Sequence, residues 1–194
     1  VLKNVLKLVF LSIVGFGVLV YVTADKPKEP VVVNEENGLT KASLPQSFEL
    51  VGVEQRISKE ELFKGESLIV VGNHDSLAVV KEFNSYFELP MNFVMVANIS
   101  SAPWFVKKMF IPGKLEELNV NSNTPMVYDF EGDMVHALAV ENNAKTAFIA
   151  YHLKPNGVIE KIYEGNVKEG ALDGSMSEVE KKEALKPLFE LLNK

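Results

Sequence analysis

Two short runs of uninterrupted apolar residues, SLIVVG (Ser67 to Gly72) and MNFVMVAN (Met91 to Asn98), do most to restrict what this chain can fold into. Each has strand length and neither alternates with polar residues, so each needs cover on both faces. Between them, Ser76 to Phe87 places Leu77, Val80, Phe83 and Phe87 on one helical face. A buried strand, a helix and a second buried strand imply a parallel pair joined by a crossover.

The rest of the pattern extends this unit. SFELVGVEQR (Ser47 to Arg56) reads as a strand, and SKEEL (Ser58 to Leu62) as one helical turn with Ser58 as its N-cap. APWFVKKMF (Ala102 to Phe110) is a short helix with proline in its first turn, where the missing N–H is tolerated. PMVYDF (Pro125 to Phe130) is a third strand; EGDMVHALAV (Glu131 to Val140) is either a helix or a turn and strand. KTAFIAYHL (Lys145 to Leu153), the turn KPNG (Lys154 to Gly157) and VIEKIYEGNV (Val158 to Val167) form a hairpin. Ser177 and Glu180 make a capping box that opens a last helix carrying Val179, Leu185, Leu188 and Leu192. Pro187 lies inside that helix and is expected to kink or split it. The expected class is α/β, a mixed sheet with helices on both faces and an antiparallel hairpin at its end.

A hydrophobic helix precedes this domain. Leu8 to Ala24 carries no charge, follows Lys3 and Lys7, and is followed by Asp25. A positive flank, an apolar run and a small terminal residue describe a secretory signal peptide, with Val22 and Ala24 placed for cleavage before Asp25. The alternative is an uncleaved membrane anchor, since helix of this length covers roughly 26 Å, a little under a hydrocarbon core. Either way the lysines stay in the cytoplasm and the remainder crosses. The expected division is residues 1–24 as signal or anchor, 25–43 as a proline- and charge-rich linker in which Val31 to Val33 could pair as a short strand, and 44–194 as the folded domain.

Composition narrows the chemistry. The formal net charge is −6 and Arg56 is the only arginine, which disfavours nucleic acid as a partner. The chain has no cysteine and 3 histidines, so thiol chemistry is excluded, and neither a metal nor another cofactor is expected.

The stretch LPQSFELVGVEQRISKEELFKGESLIVVGNHDS resembles the opening of periplasmic thioredoxin-like proteins of the TlpA and peroxiredoxin type. PMVYDFEGDMVHALAVENNAKTAFIAYHLKPNGVIEKIYEGNV is similar to the second half of the same fold, and the resemblance covers residues 44–194. It extends to the YtfJ group of exported thioredoxin-like proteins. It implies a thioredoxin-like mixed sheet flanked by helices, with a redox site at the start of the helix after the first apolar strand. The redox landmarks are missing. Where the family has its CxxC, this chain has Ser76-Leu77-Ala78-Val79, so Ser76 and Val79 stand at vacated positions. Where the family has its cis-proline, this chain has Lys145, and an ordinary trans bond is expected there.

Other residues invite attention. Asn73, His74 and Asp75 stand at the mouth of that helix. They read as a turn with Asp75 or Ser76 as N-cap, or as a ligand site in which His74 and Asp75 bind a metal or a carboxylate. His136 is expected at or near the surface and His152 beside the hairpin, too scattered for a Ser-His-Asp arrangement. Trp104 and Phe105, beside Lys107 and Lys108, are core residues or, if exposed, a partner-binding hot spot. Two functions follow. One is a redox-inactive domain in the periplasm, anchored to the inner membrane or freed by signal cleavage, that binds a protein partner in a bacterial envelope assembly such as a flagellar motor. The other is a non-thiol enzyme or ligand-binding protein with its site around His74 and Asp75. An exposed apolar patch favours the first, and a pocket at His74 with convergent acidic groups favours the second.

Overall fold

The computed structural model describes residues 2–23, 38–120 and 122–193. The cleavage point before Asp25, the Val31 to Val33 segment and most of the expected linker lie outside them. The elements are α1 (Leu2–Thr23), β1 (Ser47–Phe48), β2 (Ile57–Ser58), α2 (Lys59–Leu62), β3 (Ser67–Gly72), α3 (His74–Val80), α4 (Phe83–Tyr86) and β4 (Asn92–Asn98). They continue with α5 (Trp104–Met109), α6 (Ile111–Asn119), β5 (Met126–Asp129), α7 (Asp133–Ala137), β6 (Ala147–Leu153), β7 (Ile159–Asn166) and α8 (Glu178–Leu192).

Five strands form one sheet in the order β5-β4-β3-β6-β7. β3 and β4 are parallel, as are β4 and β5, because a helix separates the members of each pair in sequence. β6 runs antiparallel to β3, and β7 antiparallel to β6. The apolar runs that looked continuous in sequence are sorted by the pleat. Leu68 and Val70 of β3 face one core with Phe93 and Met95, closed by Leu77, Val80 and Phe83 and by Leu185 and Leu188 of α8. Ile69 and Val71 face the other with Val94 and Val96, closed by Phe48, Leu62, Phe63 and Met134.

Several boundaries differ from expectation. The strand expected over residues 47–56 survives only as β1, because a turn with left-handed Gly52 interrupts it; Leu50 still bridges to Val127. The helix expected from Ser76 starts two residues earlier and divides into α3 and α4. α8 continues through Pro187 without splitting, since buried Leu185 and Leu188 hold both halves against the sheet while the proline faces solvent. Val179, expected on the apolar face of α8, is 72% exposed. α6 was not read from the sequence at all. The linker's end joins the domain earlier than residue 44: Thr40 bridges to Val158, and Ile159 N–H donates to the Leu39 carbonyl at 2.8 Å.

α1 is helical as expected, and its described side chains are exposed. Among the described residues no helix is long and apolar enough to cross a membrane.

Candidate functional site

The end of β3 delivers the chain into α3, at the end of the sheet where thiol chemistry would occur in the fold the sequence resembles. Gly72 closes the strand because a Cβ there would stand 2.9 Å from Ser76 Oγ and 3.1 Å from Leu77 Cδ2. The N-cap is Asn73, not Asp75 or Ser76. Its side chain accepts from His74 N–H at 2.8 Å, and Ser76 Oγ accepts from Asn73 N–H at 2.9 Å, completing a capping box. Ser76 is therefore turned inward and fully buried, with its hydroxyl also donating to the Asn73 carbonyl at 2.8 Å. Val79, which the resemblance aligns with the family's second cysteine, packs in the core beside Leu77 and Val80.

The helix's opening amides are filled from within the chain. The Lys145 carbonyl accepts from Asp75 N–H at 2.9 Å and from Ser76 N–H at 3.2 Å. The described residues contain no cis peptide, so the loop reaches α3 through a trans bond as expected at Lys145. The Lys145 ammonium turns outward to pair with Glu169, and that hydrogen bond raises the lysine above its ordinary range. The positive end of α3, which could otherwise stabilise an anion, is thus spent on a backbone oxygen.

Asp75 works in the opposite direction. It is 1% exposed, and its two carboxylate oxygens accept from Gly170 N–H at 3.0 Å and Leu172 N–H at 3.1 Å. Burial alone would raise the carboxyl, but these two N–H groups together with His74 outweigh it and hold Asp75 below the usual carboxylate range. Asp75 therefore pins the turn after β7 onto α3. His74 Nδ1 lies 3.5 Å from Asp75 Oδ1, yet the imidazole is 55% exposed. Asn73 Nδ2 donates to Asn143 Oδ1 at 2.9 Å, and Asn143 Nδ2 to Ser101 Oγ at 2.6 Å, tying three loops into a polar rim. Asn143, Ser101, Gly170 and Leu172 were not anticipated: they come from distant loops, and no local pattern marks them.

Neither of two surface clefts supplies a pocket at His74. One of ≈ 670 Å³ is lined by Glu49, Glu54, Glu116, Asn119 and Tyr128. The other, ≈ 170 Å³, lies beside Arg56, Asp129 and Asp133. Burial pushes the Tyr128 phenol up to about 12, and its hydroxyl donates to the Lys107 carbonyl. Asp129 is buried and accepts from Met134 N–H at 3.1 Å and Val135 N–H at 3.0 Å, capping α7; burial nevertheless raises it. His152 Nε2 meets Glu66 Oε1 at 2.6 Å, and His136 is half-buried in α7. Among the described residues no group of three His, Cys, Asp or Glu converges as a metal ion would require.

Trp104 is 50% exposed at the start of α5, so it is not a core residue. Lys108 Nζ lies 5.4 Å from its ring centroid, whereas Lys107 turns into the domain and donates to the Phe130 carbonyl at 3.0 Å. Met109 and Phe110, 73% and 61% exposed, extend the apolar surface, and Phe105 meets Phe16 of α1 edge-on at 5.9 Å.

No family profile matches the chain, and no curated protein matches it. Among solved structures, MTB DsbF is similar over 78% of this chain and 96% of its own, at 12% identity and a TM-score of 0.47. A secreted Mycobacterium tuberculosis disulfide oxidoreductase homologous to E. coli DsbE is similar over 78% and 97%, at 15% identity and 0.45. A variant of Xanthomonas campestris peroxiredoxin Q covers 78% and 96%, at 15% identity and 0.45. At these levels no residue role passes from those proteins to this one. The five-strand order, the strand directions and the helices on both faces make the chain thioredoxin-like in fold, with no residue able to serve as a redox thiol.

Proposed function

We propose that the chain is a redox-inactive thioredoxin-like domain of the bacterial envelope that binds other molecules rather than transforming them. It is exported to the periplasmic side of the inner membrane and serves as a protein-binding or scaffold subunit of an envelope assembly. The observation that carries this reading is the closed helix end: the Lys145 carbonyl takes the amides of Asp75 and Ser76, so the position that would face a substrate holds backbone instead. The exposed apolar surface at Trp104, Met109 and Phe110 supports binding over catalysis. Lys3 and Lys7 ahead of an apolar run support export.

Purified protein is expected to show no turnover in insulin reduction or disulfide exchange, with or without a reducing system. A reporter that works only in the periplasm is expected to be active when fused after Lys194. A photocrosslinking residue on the exposed surface of the domain is expected to trap one defined envelope protein in cells. Turnover by clean protein, or a cytoplasmic C-terminus, sinks the reading. The pairing of His74 with Asp75 is the one feature that favours a ligand site instead. A His74→Ala variant that keeps its stability but loses a metal-dependent activity would establish that alternative.

A further inference from the structure

The cleft of ≈ 670 Å³ is lined by two segments whose backbones are already fixed. The first runs from Glu49 to Glu54 and is stitched to the edge of β5: Tyr128 N–H donates to the Glu49 carbonyl at 2.8 Å, and Val51 N–H to the Met126 carbonyl at 2.9 Å. Left-handed Gly52 then turns the chain. The second is α6, where Pro112, Glu116 and Asn119 share one helical face while Leu115 is buried in the core. Fixed walls leave little to order when an occupant enters.

The lining carries one sign of charge. Glu49, Glu54 and Glu116 contribute to it, and no lysine or arginine does. Lys114, on the same helix, pairs instead with Glu117 at 3.3 Å. None of the three cleft glutamates forms an ion pair among the described residues. They do not converge as the ligands of a metal ion do, so they suit positive charges spaced along a chain. Apolar surface accompanies them, with Val53 and Val120 43% and 61% exposed. Asn119 Oδ1 is enclosed and makes no hydrogen bond among the described residues. Buried acceptors ordinarily have a donor, and this amide can turn to an incoming one without giving up a bond at its oxygen. Pro112 follows Phe110 by two residues, so the cleft adjoins the exposed apolar corner between α5 and α6.

We infer that this cleft receives an extended segment of a protein partner in which two or more lysine or arginine side chains flank an apolar one. The basic groups meet Glu49, Glu54 and Glu116, and the apolar side chain lies against Val53 and Val120. Such complementarity steers the partner and fixes its register. The same field repels nucleic acid and anionic lipid, and a second copy of a chain of net charge −6 approaches against it. The inference rests on the reading that the domain binds a protein, and names the surface and the chemistry of what it binds.

Photocrosslinking with a charge swap tests it. A benzophenone amino acid is placed at position 53, 120 or 104 of the full chain in the cells that make it, and the joined peptides are mapped by mass spectrometry. Positions 53 and 120 are expected to join one and the same protein, at a segment with at least two basic residues around an apolar one. Glu54→Lys with Glu116→Lys, at exposed positions, is expected to cut that product about tenfold or more. Glu54→Gln with Glu116→Gln, which keeps the shape, is expected to cut it by a smaller factor. Glu117→Lys with Glu183→Lys changes the net charge equally at exposed positions outside the cleft and is expected to keep the product. Joining to a neutral or acidic segment, to lipid or to a second copy overturns the inference, as does equal loss in both lysine pairs or no loss in the glutamine pair. A product at position 104 with none at 53 and 120 overturns the inference and leaves protein binding standing; no product at any of the three overturns both.

Discussion

Asp75→Ala should be the most damaging single substitution at the mouth of α3. The carboxylate is buried and accepts two backbone N–H groups from the turn after β7. Hydrogen bonds to a charged acceptor contribute about 1.5–3 kcal/mol each, and a buried donor left without a partner carries its own desolvation cost. Two such bonds, less what the turn recovers by opening to water, give about 3–4 kcal/mol. Asp75→Asn keeps the shape and one acceptor and should lose about half as much, while His74→Ala should change stability by less than about 0.5 kcal/mol because the imidazole is exposed. Urea denaturation followed by far-ultraviolet circular dichroism at neutral pH measures all three. Because the folded carboxyl lies below its unfolded value, Asp75 stabilises above about pH 4 and its contribution is lost as pH falls through the folded value. The gap between wild type and Asp75→Ala should therefore narrow in acid. A gap under about 1 kcal/mol at neutral pH, or one that widens in acid, would refute the clamp.

Asp129 should show the opposite dependence. Burial raises its folded value, so the stability wild type draws from it relative to Asp129→Asn is greatest below about pH 4 and declines as pH rises through the folded value; paired urea titrations across pH read the slope. Pro187→Ala should stabilise by about 2 kcal/mol, since alanine restores the helix N–H and gives back only part of that through a freer unfolded chain. Ala139 holds φ at 51° where α7 ends, so Ala139→Gly should stabilise by about 0.5–1 kcal/mol in thermal melts.

The sheet was legible because its signals are local. The apolar runs mark β3 and β4 to within a residue, and the Ser177–Glu180 box appears with both of its bonds. α6 was missed because IPGKLEELN offers little apolar periodicity and a glycine near its start. Ser76 and Val79 were singled out by resemblance alone, and their surroundings were not legible. Whether Ser76 faces solvent or core depends on Asn73 starting the helix two residues early, and that follows from contacts with Asn143 and Lys145 some seventy positions away. Asp75 looked like a cap for the same reason: its true partners, Gly170 and Leu172, lie in a turn that sequence reading treats as connection. Trp104 could be named but not placed, because exposure at the first turn of a short helix is set by what packs beside it.

The Lys145 carbonyl also makes thiol chemistry hard to install at this helix. Cysteine at position 76 would be enclosed, and at position 79 it would lie among Leu77 and Val80 in the core, both shut off from a disulfide outside the domain. The backbone field that lowers a thiol's pKa at a helix start is already neutralised by a neighbour. Two substitutions would thus yield two enclosed thiols. A variant carrying both cysteines would have to lift the loop first, surrendering the bonds that now hold α3, before either thiol could meet a substrate. Backbone contacts can in this way act as a lock, barring an activity more firmly than the missing residues do.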